Sequence, residues 1–200
     1  MEKKLRYGSV CSGIEAASVA WDSLGWEPAW FSEIEPFPSE VLKHRFPNVP
    51  NLGDMTKIHL NPIFHERTID ILVGGTPCQS FSVAGLRKGL ADPRGNLMLT
   101  FLSIADQKKP QWIIWENVPG VLSSNGGKDF GTFLGALAEL GYGFAYRVLD
   151  AQFFGVAQRR RRVFVVGYFG NWRPAAAVLF ESESLQGNPK PGRETGEKAS

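Results

Sequence analysis

The stretch "IDILVGGTPCQSFS", residues 69–82, joins an apolar run to a loop of glycine and small polar residues. Residues 69–75 predict a buried strand, because they form a short apolar run that ends at a glycine pair. After the loop, residues 96–109 carry apolar side chains at helical spacing, and residues 111–117 form another apolar run. The order strand, helix, strand is typical of a βαβ unit with parallel strands.

The same alternation continues on both sides of this unit. Further strands are predicted at residues 5–11, 28–35, 142–151 and 162–169, and further helices at residues 14–25, 38–46 and 128–141. The last two strands follow each other directly, which predicts an antiparallel hairpin at one edge. We therefore expect one α/β domain over residues 1–170, with a mostly parallel sheet and helices on both faces. Residues 171–200 end in a stretch rich in glycine, proline and charge, which predicts a disordered tail.

Composition places the chain among globular proteins. It has 200 residues, 43% of them hydrophobic and 21% charged, with a formal net charge of +2. Its apolar runs are too short for a membrane span, and its start is a poor secretion signal, so a cytoplasmic location is expected. Cys11 and Cys78 are far apart in sequence, and the three histidines lack metal-ligand spacing. Neither a disulfide nor a metal site is expected.

Four residues that suit a binding or catalytic site follow four predicted strands, each at the point where its strand ends. Gly13 lies in the turn after the first strand, Glu33 at the end of the second, Cys78 after the third and Glu116 after the fourth. The carboxyl ends of parallel strands meet at one rim of a sheet, and ligands bind in the crevice there. The sequence therefore predicts one site that contains all four groups.

The turn after the first strand favours a ligand without phosphates. Glu15 stands where a pyrophosphate would approach the helix N-terminus, and the two anions would repel each other. Glu33 follows Gly13 by twenty residues and suits ribose hydroxyls. We expect a nucleoside with a cationic part, such as S-adenosylmethionine (SAM), although an ordinary strand–helix turn is the simpler interpretation. Asp54 suits an adenine amino group, and an Asx-turn is its alternative.

Cys78 has neighbours that are unusual for a packed cysteine. Pro77, Gln79 and Ser80 fit poorly in a core, so we interpret Cys78 as a nucleophile open to a substrate. Cys11 lies inside a predicted strand and is interpreted as inert packing.

The segment after Cys78 carries Arg87, Lys88 and Arg94 among glycines, without core periodicity. This pattern is typical of a flexible loop that closes over an anionic polymer. A solvated surface loop is the alternative.

Two further motifs carry charge next to apolar strands. Glu116 follows four apolar residues, where a carboxyl group can keep a proton, and the alternative is a buried glutamate paired with an arginine. In extended backbone, Gln158, Arg160 and Arg162 share one face. From this face an arginine can orient Glu116 or hold a backbone phosphate.

Taken in order, "CSGIEAA", "SEIE", "GDM", "GGTPCQSFS", "ENVPG" and "QRRRR" resemble the motifs of the cytosine-C5 DNA methyltransferases over residues 5–170. The resemblance implies a Rossmann-like, SAM-dependent methyltransferase sheet. It implies methyl transfer from SAM to C5 of a flipped cytosine in double-stranded DNA, through a covalent adduct with Cys78.

The family resemblance also implies residue roles. Cys78 would be the nucleophile, Glu116 would act at N3 of the base, and Arg160 and Arg162 would hold the substrate side. Cofactor contacts would be Gly13, Glu33, Asp54, Pro77 and Leu97, and DNA contacts would be Gln79, Ser82, Arg87, Lys88, Arg94 and Gln158.

The chain departs from the family pattern in two ways. Many members carry aromatic residues at the positions of Cys11 and Ile34, so weaker adenine stacking is expected. The family also places a target-recognition region after the arginine-rich strand, followed by a segment and a helix that return to the cofactor turn. We expect the chain to be a truncated catalytic part. It would then work with a second chain that supplies target recognition, or persist as a weak or inactive SAM-binding remnant. An RNA cytosine methyltransferase that uses the same residues is a separate alternative.

Overall fold

The computed structural model describes residues 4–77 and 97–180. Within these ranges six strands form one sheet: β1 Arg6–Val10, β2 Glu27–Ser32, β3 Ile71–Gly74, β4 Trp112–Asn117, β5 Tyr142–Asp150 and β6 Arg161–Phe169. Their spatial order is β2-β1-β3-β4-β6-β5. The first four strands in this order are parallel, and β6 is antiparallel to both β4 and β5. The predicted α/β fold, with a mostly parallel sheet and an antiparallel edge hairpin, is confirmed.

Helices connect the strands of this sheet. The described α-helices are α1 Ala16–Trp21, α2 Pro36–Arg45, α3 Pro62–Glu66, α4 Leu97–Lys108, α5 Lys128–Glu139 and α6 Arg173–Leu179. Short 3₁₀ helices lie at Asp22–Leu24, Met55–Leu60, Pro119–Leu122, Ser124–Gly127 and Ala151–Phe153. None of the helices in the described ranges combines the length and apolar character that a bilayer crossing requires.

The first βα unit is shorter than predicted. β1 ends at Val10, and Cys11 follows with a left-handed φ of 49°, so Cys11 is not inside the strand. The Cys11 thiol donates to the Met55 sulfur at 3.5 Å and the side chain packs against the main core. α1 begins after Glu15, whose φ of 66° is left-handed, and the following 3₁₀ turn ends at Gly25 as predicted.

α6 extends the domain past the predicted boundary at residue 170. Ala175 and Leu179 are buried against Val166 of β6, together with half-buried side chains of β4 and β5. The helix has only seven residues and a small apolar face. Amino-acid composition alone does not distinguish such a short helix from a disordered tail. Residues 181–200, the rest of the predicted tail, lie outside the described residues.

Alternating strand residues build a core on each face of the sheet. On one face, Trp30 and Trp115 pack with α4 and α5 in the largest cluster of buried side chains. On the other face, Tyr7 and Phe31 pack with Leu42 of α2 and with the half-buried Trp21 of α1. Helices therefore cover both faces, as predicted. The face that carries α1 and α6 is also the face on which the candidate site lies.

The close contact of β1 with β2 depends on Gly8. A Cβ atom at Gly8 would lie 2.2 Å from Cζ2 of the fully buried Trp30 ring. No side chain larger than hydrogen fits at this position without moving the indole.

We predict that Gly8→Ala lowers the free energy of unfolding by about 1–3 kcal/mol, because overpacking forces neighbours out of their minima. Gly131→Ala is the matched control, because its Cβ would meet nothing within 4 Å on the exposed side of α5. The control should gain about 0.5–1 kcal/mol from helix propensity. Urea unfolding measures both, and an equal effect of the two substitutions would contradict this packing argument.

Candidate active site

A cavity of about 750 Å³ opens at the carboxyl ends of β1, β3 and β4, on the face that carries α1. Val73, Ile114 and Phe164 form its apolar floor. Its polar and charged wall residues are Ser9, Cys11, Ser12, Glu15, Glu116, Arg160 and Arg162. The volume falls in the range of sites for small molecules and cofactors. The cavity thus lies at the rim of the sheet where the sequence predicts the ligand crevice. Of the four residues that the sequence places there, Glu116 lines the cavity, Gly13 and Glu33 are not among its lining residues, and Cys78 lies outside the described residues.

Glu116 and Arg162 form an ion pair in this cavity. Arg162 Nε lies 2.8 Å from Glu116 Oε1, and the side chains are 22% and 31% exposed. In the antiparallel pairing of β4 and β6, Glu116 lies opposite Phe164. Arg162 is two residues before Phe164 and therefore lies on the same face of the sheet as Glu116. Arg162 also donates from Nη1 to the Arg161 carbonyl at 2.8 Å. Pairing with an arginine is the alternative that the sequence left open for Glu116, and it fixes the direction of the carboxylate.

The second oxygen of Glu116 lies against a glycine. A Cβ atom at Gly75 would be only 2.7 Å from Glu116 Oε2. Because Gly75 has no side chain, the carboxylate can lie beside the backbone that leaves β3. Sequence reasoning did not assign Gly75 to the site, although the glycine pair at the end of the third strand was a signal for such a close approach.

Thr76 is held by the residues on either side of Glu116. Trp115 Nε1 donates to Thr76 Oγ1 at 3.0 Å, and Asn117 Nδ2 donates to the Thr76 carbonyl at 2.8 Å. Thr76, Trp115 and Asn117 are at most 3% exposed. Buried hydrogen bonds of this kind are costly to break. The backbone that enters the Cys78 segment is therefore fixed beside Glu116.

Several predicted site residues cannot be placed by the structure. Cys78, Gln79, Ser82, Arg87, Lys88 and Arg94 lie outside the described residues. Their proposed roles stay predictions.

The connection between β5 and β6 brings Arg160 to the cavity wall. Asp150 accepts from the Arg160 backbone N–H at 3.0 Å and from the Gln152 side chain at 2.8 Å. These bonds fix the connection, while the Arg160 side chain is exposed. Phe154 also lines the cavity and is 61% exposed, a position that the sequence did not indicate. Gln158 is exposed in the same connection, before β6 begins.

On the side of β2, Glu33 ties two turns together. Its carboxylate accepts from the N–H groups of Gly13 at 2.7 Å and of Ile34 and Glu35 at 2.8 Å each. A carboxylate has about four acceptor positions, so these three bonds leave one at Oε2. The ribose contact that the sequence predicts for Glu33 stays a prediction, and this acceptor position is where such a hydroxyl would donate.

Asp54 adopts the alternative that the sequence left open. Its Oδ1 accepts from the Thr56 N–H at 2.9 Å and from the Thr56 hydroxyl at 2.8 Å. Partial burial acts to raise the pKa of Asp54, but the bonds from Thr56 and the nearby Lys57 outweigh it, so the pKa is lowered. The other oxygen, Oδ2, lies 3.7 Å from Lys57 Nζ on the surface. Asp54 thus caps a 3₁₀ helix and stays ionised, which leaves Oδ2 as an acceptor for an amino group.

Pro77 and Leu97 border the segment that the structure leaves undescribed. Pro77 is exposed, and Leu97 begins α4 with its side chain packed against the main core. Their predicted contacts with the cofactor stay predictions.

Glu15 has a buried carboxylate with unusual surroundings. Glu15 is 1% exposed, and neither carboxylate oxygen has a hydrogen-bond partner among the described residues. Burial raises the pKa of Glu15 from its ordinary 4.5 to about 7, against the smaller effects of Ser9, the Ser18 backbone and Arg45. Within the described ranges, no group of three or more His, Cys, Asp or Glu side chains is placed to hold a metal ion.

Comparison with known proteins gives a consistent family. The model of the family described as "C-5 cytosine-specific DNA methylase" matches residues 5–190. A protein of Escherichia phage P1, named a DNA N-6-adenine-methyltransferase, is 49% identical over 99% of this chain and 33% of its own length. The orphan methyltransferase M.SPRI of Bacillus phage SPR is 37% identical over 82% of this chain and 38% of its own length. The chain thus spans between a third and two fifths of these curated relatives.

A shorter relative is covered more completely. The Type II methyltransferase M.AquIA of Picosynechococcus is 36% identical over 84% of this chain and 72% of its own length. Among solved structures, Spodoptera frugiperda DNMT2 has a TM-score of 0.65 at 24% identity, over 84% of this chain and 51% of that one. This last similarity concerns the fold alone.

We predict that Thr76→Val lowers the free energy of unfolding by about 1–3 kcal/mol, because it leaves the buried Trp115 N–H without an acceptor. Thr132→Val is the matched control, since the Thr132 hydroxyl donates to the Lys128 carbonyl on the exposed surface of α5. Urea unfolding compares the two variants, and a loss no larger than that of the control would contradict the role given to Thr76.

Glu15→Gln should stabilise the ligand-free protein at neutral and higher pH. The folded state holds the Glu15 proton up to about pH 7 and the ordinary value is 4.5, so the wild type loses stability as pH rises through this interval. We expect a gain on the order of 2 kcal/mol at pH 8 that disappears near pH 4. Unfolding curves at both pH values measure it, with Glu27→Gln, an exposed acid on β2, as the control. A gain that is equal at pH 4 and pH 8 would contradict the assignment.

Proposed function

The chain belongs to the C-5 cytosine-specific DNA methylases, and on that basis we propose that it transfers a methyl group from SAM to C5 of cytosine in DNA. One observation carries the proposal. The ion-paired Glu116 and Arg162 line a cavity together with Arg160, beside the fixed backbone of Thr76 that leads to Cys78. One carboxyl group and two arginines thus line the same cavity, and the backbone that leads to Cys78 begins beside them.

The residues at the rim of β1 and β2 fit the cofactor. The free acceptor position of Glu33 suits a ribose hydroxyl, and the ionised Asp54 suits the adenine amino group. Gly13, Pro77 and Leu97 would contact the remainder of the nucleoside. When bound, SAM supplies an electrophilic methyl group.

In the proposed reaction, the Cys78 thiolate forms a bond to C6 of a flipped cytosine, and a proton that Glu116 takes up from solvent passes to N3. The addition breaks the C5–C6 double bond and makes C5 a nucleophilic enamine carbon. C5 would then form a bond to the methyl carbon as the bond from that carbon to sulfur breaks, with S-adenosylhomocysteine as the leaving group. The C5 proton then leaves to a base, the Cys78–C6 bond breaks, and the N3 proton returns to Glu116. Aromaticity and the free thiolate are restored.

The arginines support these steps. Arg162 holds the Glu116 carboxylate in place through the 2.8 Å ion pair. Arg160, on the cavity wall, contributes positive charge near the base, and a cation near a thiol favours the thiolate. Arg87, Lys88 and Arg94 would contact the DNA backbone, and Gln79, Ser82 and Gln158 would contact the DNA beside the flipped base. A cytoplasmic location is part of the same proposal.

Methylation of adenine N6 is a second candidate, because the phage P1 relative carries that name. An exocyclic amino nitrogen can attack a methyl sulfonium directly, so this reaction needs no thiol adduct. The Pro-Cys-Gln sequence at residues 77–79 has no role in it. Cytosine C5 is therefore the better supported target.

Target recognition is the part of the proposal that reaches beyond this chain. The match covers 38% of the length of M.SPRI and 33% of the length of the phage P1 protein. We propose that a second chain supplies target recognition and binds beside the cavity that Val73, Ile114 and Phe164 line.

The adduct predicts a direct assay. A duplex with 5-fluorocytosine at the target cytosines traps the enzyme, because the fluorine at C5 blocks the final elimination. With SAM present, we expect the wild-type chain to give a covalent complex that survives denaturing electrophoresis, and Cys78→Ser to give none. Binding of S-adenosylhomocysteine is measured on both proteins as the control for folding.

An equal adduct with Cys78→Ser would contradict the proposed nucleophile. Mass spectrometry of hydrolysed DNA after reaction decides the target base. We expect 5-methylcytosine, whereas N6-methyladenine alone would favour the second candidate.

A further inference from the structure

Glu15 is a buried acid whose partner is absent from the described residues. Its two carboxylate oxygens are each enclosed and without a hydrogen bond, and the residue forms part of the cavity wall. Removing a carboxylate from water without a partner is costly. Ser9 and the Ser18 backbone offset this cost only in part, because burial still raises the pKa of Glu15 to about 7. A cation that enters from the cavity would offset it further.

The backbone at Glu15 is also unfavourable. Glu15 has φ 66° and ψ 71°, which is a left-handed conformation. For a residue other than glycine, this backbone conformation costs about 1 kcal/mol or more. Within its surroundings, Tyr7 on β1 has a buried hydroxyl that also lacks a partner among the described residues. Strain and unmet polar groups at one place are typical of a binding site.

The charges around Glu15 are few. Tyr7 faces it from β1 and Arg45 acts on it from α2, while Asp22, in the 3₁₀ turn after α1, acts on Tyr7. The Arg45 guanidinium points to the Ile14 carbonyl, at 3.4 Å, rather than to the carboxylate. A cation could therefore still pair with Glu15 from the cavity side.

The turn around Glu15 disfavours an anion at this point. The Gly13 N–H is used by Glu33 at 2.7 Å, and the Glu15 N–H is used by the Ser12 carbonyl at 2.9 Å. A phosphate site at a helix start needs such N–H groups to be free. The group of this turn that lines the cavity is the carboxylate side chain of Glu15, which favours a cation rather than an anion.

We propose that Glu15 binds the α-ammonium group of the amino-acid end of SAM. The inference rests on the proposed function and names one contact of the same cofactor. The adenosine end would lie toward Glu33 and Asp54, and the methyl group must lie near Glu116 for transfer. The amino-acid end branches from the same sulfur, and Glu15 is among the residues that line the cavity.

Three ligands separate this contact from other contributions. SAM has a sulfonium and an ammonium group, S-adenosylhomocysteine keeps the ammonium group alone, and 5′-methylthioadenosine has neither. We expect Glu15→Gln to weaken SAM and S-adenosylhomocysteine by about 10-fold or more, as for a lost hydrogen bond between charged groups. Binding of 5′-methylthioadenosine should change less than about 2-fold. Isothermal titration at pH 8 measures all three, with Glu27→Gln, an exposed acid at the start of β2, as the matched control.

A second measurement uses the wild type alone. Between pH 6 and pH 8, the affinity for S-adenosylhomocysteine relative to 5′-methylthioadenosine should rise as Glu15 ionises. In Glu15→Gln the same ratio should stay constant. This ratio decides the matter if the variant does not fold.

Three outcomes would overturn the inference. Equal losses for 5′-methylthioadenosine would mean that Glu15 supports the site only structurally. A loss for SAM alone would assign the contact to the sulfonium. A wild-type affinity ratio that does not vary with pH would remove the charge from the interaction. Failure of the chain to bind any of the three ligands would instead contradict the proposed cofactor itself.

Discussion

The two hydrogen bonds that β4 makes to Thr76 are the constraint on which the rest of the site depends. Trp115 and Asn117 lie on either side of Glu116, and each donates to Thr76 from a buried position. Glu116 and the backbone ahead of Cys78 are thereby fixed to each other, although they are about forty positions apart in sequence. Buried bonds of this kind resist rearrangement, because an unpaired indole or amide N–H would be costly. The position from which the chain continues toward Cys78 is therefore fixed at Thr76.

Glu33 and Glu15, two glutamates near the ends of β2 and β1, differ in their surroundings and therefore in their roles. Glu33 accepts three backbone N–H groups and acts mainly as a structural link with one acceptor position to spare. Among the described residues, the carboxylate of Glu15 has no such set of partners, and burial raises its pKa to about 7 against the smaller effects of Ser9 and the Ser18 backbone. The same side chain is thus fixed by hydrogen bonds in one position and carries a raised pKa in the other. A destabilised acid on a cavity wall gains the most from a cationic ligand, at the expense of stability when no ligand is bound.

The meeting of Glu116, Arg160 and Arg162 could be predicted from sequence, for a topological reason. β4 ends at the rim where the antiparallel β6 begins, so an acid at the end of one and arginines at the start of the other must converge. The cap formed by Asp54 and the contacts of Gly75 and Thr76 could not be predicted in the same way. They depend on which side chains of distant segments meet, and local propensity contains no record of that. The left-handed turn at Cys11 and Glu15 was missed because its residues are not glycine, so the sequence lacks the usual signal.

The position of the Cys78 sulfur tests the account most directly. A crystal structure of the protein with S-adenosylhomocysteine would give the distance from Cys78 Sγ to the nearer Glu116 carboxylate oxygen. We expect both groups to face the cavity within roughly 7 Å, which one pyrimidine ring spans with one covalent bond and one hydrogen bond. A Cys78 side chain packed into the core, or a sulfur on the far side of the sheet from Glu116, would contradict the account.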